Sequence, residues 1–338
     1  MDGQLIFTQL AEFIQPLYLV GGGVRDKLLG LKPKDFDFAT PLDPDEIERR
    51  AKAAGKKVYT TGKRFGTVGV RLSGQTVEIT TFRSESYQPG SRKPTVKFVD
   101  NITYDLSRRD FTINALAMKL DGSIIDPFGG HNDLAKKIIR TVGNASERFS
   151  EDPLRMLRAI RFAAQLDFNL ASETKLRISK RAKQILSVSR ERWVQELDKL
   201  LLSARPEKAL ELLAATRLIN YLLPELAVQI GFKQDSPYHQ LELWPHTLKT
   251  VRLSQPELNL RWAALLHDVG KPYVKTVNRN GYSNYVDHEI VGAELVLKIG
   301  HYLRWSNQRL KTVHDLVLDH LKDGSPLNKA DAAATKAD

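Results

Sequence analysis

Between residues 17 and 40 the chain runs LYLV, three consecutive glycines (Gly21 to Gly23), VRDKLLG and then KDFDFAT. No regular element is comfortable through three glycines, so the apolar run must end there as a short buried strand. VRDKLLG restarts as a helix that Gly30 can terminate. KDFDFAT alternates charged and apolar residues, the period of a strand. A strand, glycine turn, helix and second strand within so few residues commit the N-terminal part to a sheet with a tight turn at one end of its strands.

That second strand carries Asp35 and Asp37 at i and i+2. Side chains alternate faces along a strand, so the two carboxylates are expected to point the same way, with Phe36 and Phe38 turned to the core. Paired carboxylates are hard oxygen ligands suited to Mg²⁺. Nucleotidyl transfer needs mainly such charge neutralisation and in-line positioning. The glycine turn adds a backbone that a phosphate can approach, at a helix N-terminus that favours negative charge. Arg25, in the first helical turn, is either a phosphate contact or the partner of Asp26 or Asp35. Glu78, in TVEIT, is the candidate third carboxylate, with an exposed strand residue as the alternative.

Residues 4–16 and 43–55 read as helices, the second opened by an acidic turn and Pro44 and closed by Gly55. KVYTT, TVGVRL and TVEITTF read as strands, and SYQPGSRKP (86–94) as a loop. From about residue 105 the pattern turns helical, including SRRDFTINALAM as a helix opened by Ser107. Helical patterns continue to about 226, GFKQDSPYHQ (231–240) reads as a linker, and a further helical segment holds most of the histidines. The last residues, NKADAAATKAD, are small and polar and read as a disordered tail.

Lys plus Arg total 51 against 40 for Asp plus Glu, a net charge of +11, which suits a polyanionic partner. The chain has no cysteine, which excludes disulfides, thiolate nucleophiles and Cys-held metal. Any metal must therefore rest on carboxylate, imidazole or water. No apolar run approaches the ~18 residues of a membrane span. The N-terminus lacks the pattern of a signal peptide, so a cytoplasmic protein with no membrane partner is expected.

SEDPLRMLRAIRF (150–162) reads as a helix capped by Ser150 or Asp152, with Pro153 at its start. Arg155, Arg158 and Arg161 recur every three residues on one face. Three neighbouring arginines require anions nearby, either a triphosphate or acidic side chains. Asp152 and Arg155 together present an acceptor and donors that match a base edge. From spacing alone an intrahelical ion pair is the preferred reading.

GGGVRD, DFDFAT, RRDFTINALAM, DPFGG and RFSEDPLRMLRAIRF, in this order over residues 17–225, resemble the signature of the bacterial-type (class II) tRNA nucleotidyltransferase and poly(A) polymerase family. The resemblance implies an α+β chain. It would have a polymerase-β-like nucleotidyltransferase head with a small mixed sheet (1–140), an all-α neck and body (141–230), an all-α HD domain (231–325) and a tail (326–338). It implies that Asp35 and Asp37 bind Mg²⁺, with Glu78 as the candidate third catalytic carboxylate. Gly22 and Arg25 would contact nucleotide, and Arg109 would hold phosphate or sugar. Asp152 and Arg155 would read the CTP or ATP base edge and Arg158 and Arg161 would complete that site, which reverses the ion-pair preference. TGKRFGTVGV and TTFRSESYQPGSRKP are similar to CCA-adding members acting on the tRNA acceptor arm. An A-adding enzyme and a poly(A) polymerase are the alternatives, and an HD phosphohydrolase or an RNA-binding protein with an inactive head is the alternative of another class.

His246, the pair His267–Asp268 in LLHDVGKP, and His288 in DHEIVGAE resemble the HD phosphohydrolase domain, which implies a second divalent metal. His320, beside Asp319, is a candidate addition. His301 and His314 read as ordinary helix residues. No final metal-binding aspartate stands out.

Overall fold

A computed structural model describes residues 3–33, 35–87, 95–235 and 240–335. The chain divides into two compact units, Met1–Asp152 and Pro153–Asp338. The expected division near residue 231 falls inside the second unit.

The first unit is built on α1 (Gly3–Ala11), β1 (Tyr18–Val20), α2 (Gly22–Leu28), β2 (Asp37–Thr40), α3 (Pro44–Ala53), β3 (Val58–Tyr59), β4 (Thr67–Leu72) and β5 (Gln75–Thr81). It continues through the β6 (Arg83–Ser86) and β7 (Thr95–Phe98) hairpin, α4 (Ile102–Ser107), β8 (Ala117–Met118), β9 (Ile124–Ile125), α5 (Gly130–Ala135) and α6 (Ala145–Glu151). Seven strands form one sheet in the order β3-β4-β5-β2-β1-β8-β9. The β2–β5 pair is parallel and its neighbours are antiparallel, so the sheet is mixed.

Local chemistry explains the elements. Asp43 caps α3, its side chain accepting the Glu46 N–H at 2.8 Å, with Pro44 in the first turn. Its apolar stripe, Ile47 and Ala51, is fully buried. Ser73 and Gly74, at φ 44° and 90°, make the two-residue turn between β4 and β5 that a right-twisted hairpin favours. One sheet face packs on α1, where the Phe7 and Phe38 rings meet edge-on at 5.1 Å. On the other, Val20, Ala39 and Phe82 pack with Leu106, Ala115, Ala117 and Val142.

Several expectations change. The helix after β1 begins at Gly22, so Gly21 alone makes the turn. The second strand begins at Asp37, leaving Asp35 before it, and Phe36 is only half-buried while Phe38 is fully buried. Lys34 and residues 88–94 of the expected loop lie outside the described residues. SRRDFTINALAM is not a helix: α4 ends at Ser107, a short 3₁₀ turn spans Thr112–Asn114, and β8 follows. Asp110 Oδ1 accepts the Phe111 N–H at 2.9 Å and the Asn114 side-chain amide at 3.1 Å, a local alternative to helix hydrogen bonds.

The second unit is helical: α7 (Leu154–Gln165), α8 (Ser172–Arg181), α9 (Arg190–Leu201), α10 (Pro206–Ala215), α11 (Ile219–Leu222), α12 (Pro224–Ala227), α13 (Leu243–Leu253), α14 (Leu258–Leu266), α15 (Lys271–Val274), α16 (His288–Tyr302), α17 (Asn307–Leu318) and α18 (Asn328–Ala334). Pro153, rather than Ser150 or Asp152, holds the N-cap position of α7. The expected disordered tail is largely the helix α18, which buries Ala330 and Ala334 and packs on α13. Among the described residues no helix is long and apolar enough to cross a membrane.

Candidate active site and candidate metal centre

In the first unit the strand register assembles the site. Val20 is paired with Asp37 across β1–β2, and Asp37 with Glu78 across β2–β5. Paired residues share a sheet face, so Glu78 stands beside Asp37, and the turn after Val20 lies at the same end of the sheet. Asp35, Asp37 and Glu78 are all exposed. They do not converge within 4.8 Å among the described residues.

Gly21 is held at both ends: its N–H donates to the Leu116 carbonyl and its own carbonyl accepts from the Arg25 N–H, each at 3.1 Å. Its backbone, at φ 70° and ψ −132°, is one that only glycine adopts easily. A Cβ there would lie 2.5 Å from a terminal nitrogen of Arg109. One terminal nitrogen of the Arg109 guanidinium therefore points at the turn, while the other is tied to Asp105 at 3.2 Å and the buried Nε makes no hydrogen bond.

Crowding by surrounding protein raises the Asp37 carboxyl above its ordinary value; the Arg109 charge lowers it and the Asp35 charge raises it further. Two like charges beside a glycine turn, in a setting that disfavours ionisation, form a place that a divalent cation would relieve. The hard oxygen donors of Asp35 and Asp37 fit Mg²⁺.

Arg25 is buried and donates to Asp26 at 2.6 and 2.8 Å and to Asn114 at 2.8 Å. The alternative of a pairing with Asp26 is thus realised, and Asp110 steadies Asn114 behind it. Gly22 lies over this guanidinium: a Cβ there would be 3.6 Å from it.

Asp105 escaped the sequence reading. It is fully buried, and its carboxylate receives Arg108 at 2.7 Å, Arg109 at 3.2 Å and the Arg83 N–H at 3.3 Å. Burial pushes its carboxyl up, but Arg108 and Arg109 outweigh this and hold it below the usual range. The available signal was a carboxylate three and four residues before consecutive arginines.

Asp152 closes the first unit and Arg155 lies in the first turn of α7 in the second. Arg161 is buried and donates to Glu196 of α9 at 2.6 Å and to Gln165 at 2.8 Å. Arg158 approaches the same carboxylate at 4.0 Å. The anion that this arginine face needs thus comes at least in part from Glu196, a second residue missed from sequence. Its signal was a charge at the helical spacing of Trp193, Leu197 and Leu200, which are buried.

The histidines converge in the second unit. His246 comes from α13, His267 and Asp268 follow α14, and His288 opens α16; His320 follows α17 and Asp331 lies on α18. Two groups could hold an ion: His246, His267, Asp268 and Asp331, and then Asp268, His288 and His320. Asp331 is the aspartate that was not visible in the sequence. Gly270 makes the assembly possible, because a Cβ there would lie 2.2 Å from the His288 carbonyl and 2.7 Å from the Gly292 nitrogen. Burial disfavours a charge on His267, yet Asp268 and Asp331 push it up to about 10; burial, with the His267 charge, pushes His320 down to about 4. The pocket attracts positive charge while its histidines compete for it, and its imidazole and carboxylate donors fit a divalent transition metal. His301 and His314 belong to neither group.

Comparison with known proteins agrees with this layout. Residues 17–140 match the poly A polymerase head domain, 167–230 the probable RNA and SrmB-binding site of polymerase A, and 243–338 the HD domain. The chain is 38% identical to the CCA-adding enzyme of Leuconostoc citreum, over 96% of this chain and 84% of that one. It is 42% identical to that of Geobacillus thermodenitrificans over 78% of this chain, but spans only 62% of that relative. Its fold is similar to the Bacillus stearothermophilus CCA-adding enzyme in complex with CTP, with TM-score 0.67, 31% identity, and coverage of 99% and 82% of the two chains. It is also similar to the Thermotoga maritima CCA-adding enzyme complexed with tRNA, with TM-score 0.60, 26% identity, and coverage of 100% and 80%. The chain belongs to the family of CCA-adding nucleotidyltransferases.

Proposed function

We propose that this chain adds C and A to the 3′ end of tRNA without a template, transferring CMP and AMP from CTP and ATP. The observation that carries this reading is the alignment of Val20, Asp37 and Glu78 across three strands, which sets two exposed aspartates beside a glycine turn backed by Arg109. Mg²⁺, when bound, neutralises the triphosphate and lowers the barrier to attack by the tRNA 3′ hydroxyl. Asp35 and Asp37 hold it, and Glu78 is the third carboxylate. The Gly21–Gly22 backbone admits the phosphates, and Arg25 and Arg109 face them, the first oriented by Asp26 and Asn114 and the second by Asp105. Asp152 and Arg155 read the base edge. Arg158 takes part in nucleotide binding, and Arg161, fixed on Glu196, holds the helix that carries Arg155 and Arg158.

The head is proposed as residues 1–140, the neck and body as 141–230, and the HD-type segment as 231 onward through α18. The basic surface binds the acceptor arm of tRNA, so affinity falls with salt. The HD-type pocket holds a divalent metal, and the protein works in the cytoplasm. The test supplies tRNA ending before CCA with labelled CTP alone, ATP alone, or both. Incorporation of C from CTP, followed by A, supports the reading. A addition confined to tRNA already ending in CC, or long A tails with no C, would refute it.

A further inference from the structure

Three arginines and two carboxylates meet where β6 packs beside α4. We propose that Glu85, on β6, is a positioning residue for nucleotidyl transfer. It takes up part of Arg108, so that Asp105 can hold Arg109 at the glycine turn with positive charge left over for a phosphate. This role rests on the nucleotidyl-transfer reading of the first unit and adds to it a residue that acts only through Arg109.

The bonds within the group are divided unevenly. Asp105 Oδ1 accepts Arg108 Nε at 3.0 Å and one of its terminal nitrogens at 2.7 Å, together with the Arg83 N–H at 3.3 Å. Asp105 Oδ2 accepts Arg109 at 3.2 Å. The other terminal nitrogen of Arg108 donates to Glu85 Oε1 at 3.1 Å, and Arg83 Nε donates to the same oxygen at 3.2 Å. Glu85 Oε2 accepts the Tyr87 hydroxyl at 2.8 Å. Glu85 therefore stands between two guanidinium groups, and Arg108 joins it to the carboxylate that holds Arg109.

Charge gives this connection a consequence. Arg83, Arg108 and Arg109 set three positive charges against the two negative ones of Glu85 and Asp105, an excess of one. Arg109 has the smallest share of these carboxylates, one contact at 3.2 Å, and its remaining terminal nitrogen points at Gly21. The excess thus falls beside the turn that the phosphates enter. Neutralising Glu85 would double the excess and leave all three arginines to one buried carboxylate. Burial and the Arg108 charge already push Arg83 below the ordinary arginine value, with Glu85 and Asp105 opposing them. With Glu85 neutral, Arg83 and Arg108 would compete with Arg109 for Asp105.

The Glu85 side chain is only 8% exposed. Ion pairs at such depth hold elements together no better than apolar side chains of similar size. The carboxylate therefore has a use beyond pinning β6 to α4.

The test measures incorporation from labelled CTP by the full chain, with tRNA affinity and circular dichroism beside it. Glu85→Gln keeps the shape and an acceptor but loses the charge. Its kcat should fall about 10–100-fold, the cost of a displaced positioning group, with tRNA affinity near the parent level. Glu85→Asp keeps the charge and shortens the side chain, and should retain more turnover than Glu85→Gln. The reverse order would mean that shape alone matters and would overturn the proposal. In an Arg109→Ala chain, Glu85→Gln should change the residual turnover by less than about twofold, because its effect passes through Arg109. Losses that simply multiply would also overturn it. If Glu85→Gln melts early, adding Arg108→Gln restores the charge excess and should recover both folding and turnover; folding recovered without turnover counts against the proposal. An active parent beside an unaffected Glu85→Gln removes the proposal alone, whereas an inactive parent removes the reading on which it rests.

Discussion

Gly21→Ala tests whether Arg109 works through its contact with the glycine turn. Alanine at φ 70° and ψ −132° strains the backbone by about 1–3 kcal/mol. The turn cannot swing away, because its N–H and carbonyl are both bonded to neighbouring elements. The new Cβ would start 2.5 Å from the Arg109 terminal nitrogen. The guanidinium must retreat by roughly 1 Å to reach ordinary contact distance. It is tethered to Asp105, so the retreat also stretches that ion pair. A misplacement of about 1 Å in a positioning group costs on the order of 100-fold in rate. The control is Gly55→Ala, which introduces a side chain at the same φ of 70° with nothing within 4 Å. Both variants should melt at lower temperature. Only Gly21→Ala should lose about 100-fold in kcat for labelled CMP incorporation, measured well below either melting point. Equal turnover in the two variants would refute the role given to Arg109.

Asp35→Ala combined with Asp37→Ala should abolish incorporation while tRNA binding, followed by filter retention, stays near the parent level. Arg155→Ala should change the ratio of C to A incorporation more than tRNA affinity; an equal loss for both nucleotides accompanied by unfolding would argue for a structural role. Asp105→Asn should destabilise the first unit by roughly 3 kcal/mol, because two arginines lose a buried partner. The sign with pH follows from its depressed carboxyl: its stabilisation is full above the unfolded value of about 3.9 and is lost as pH falls through the lower folded value. Acid-unfolding curves of parent and Asp105→Asn should therefore converge at the acid end. Glu196→Gln should cost roughly 3 kcal/mol in the second unit, since Arg161 is buried against it, and denaturant midpoints would show this.

Strands and carboxylates were legible because their signals are local. Alternation pointed to β2, runs of β-branched residues pointed to β4 and β5, and the glycines marked the turn, although only one of them makes it. The residues that were missed depend on distant partners. Asp105 matters because of the arginines that it collects, and Glu196 because α9 turns it toward α7. RRDFTIN looked helical because its alternatives to helix hydrogen bonds come from the Asp110 and Asn114 side chains, which propensity does not count. Asp331 was hidden in a stretch of alanines whose helix is held by packing on α13. The HD-type histidines were visible as residue types, but their convergence with Asp268 and Asp331 was not.

The arrival of Asp331 from α18 gives the histidine pocket an order of assembly. Its donors stretch from residue 246 to residue 331, and the last of them also reaches back to the first, His246. During synthesis on the ribosome, five of the six donors exist before the pocket can be closed. Metal captured at that moment would clasp α13 and α18, so loading would act as a checkpoint on completion of the C-terminal helices. A chain clipped between His320 and Asp331 would keep every histidine and still leave that clasp open.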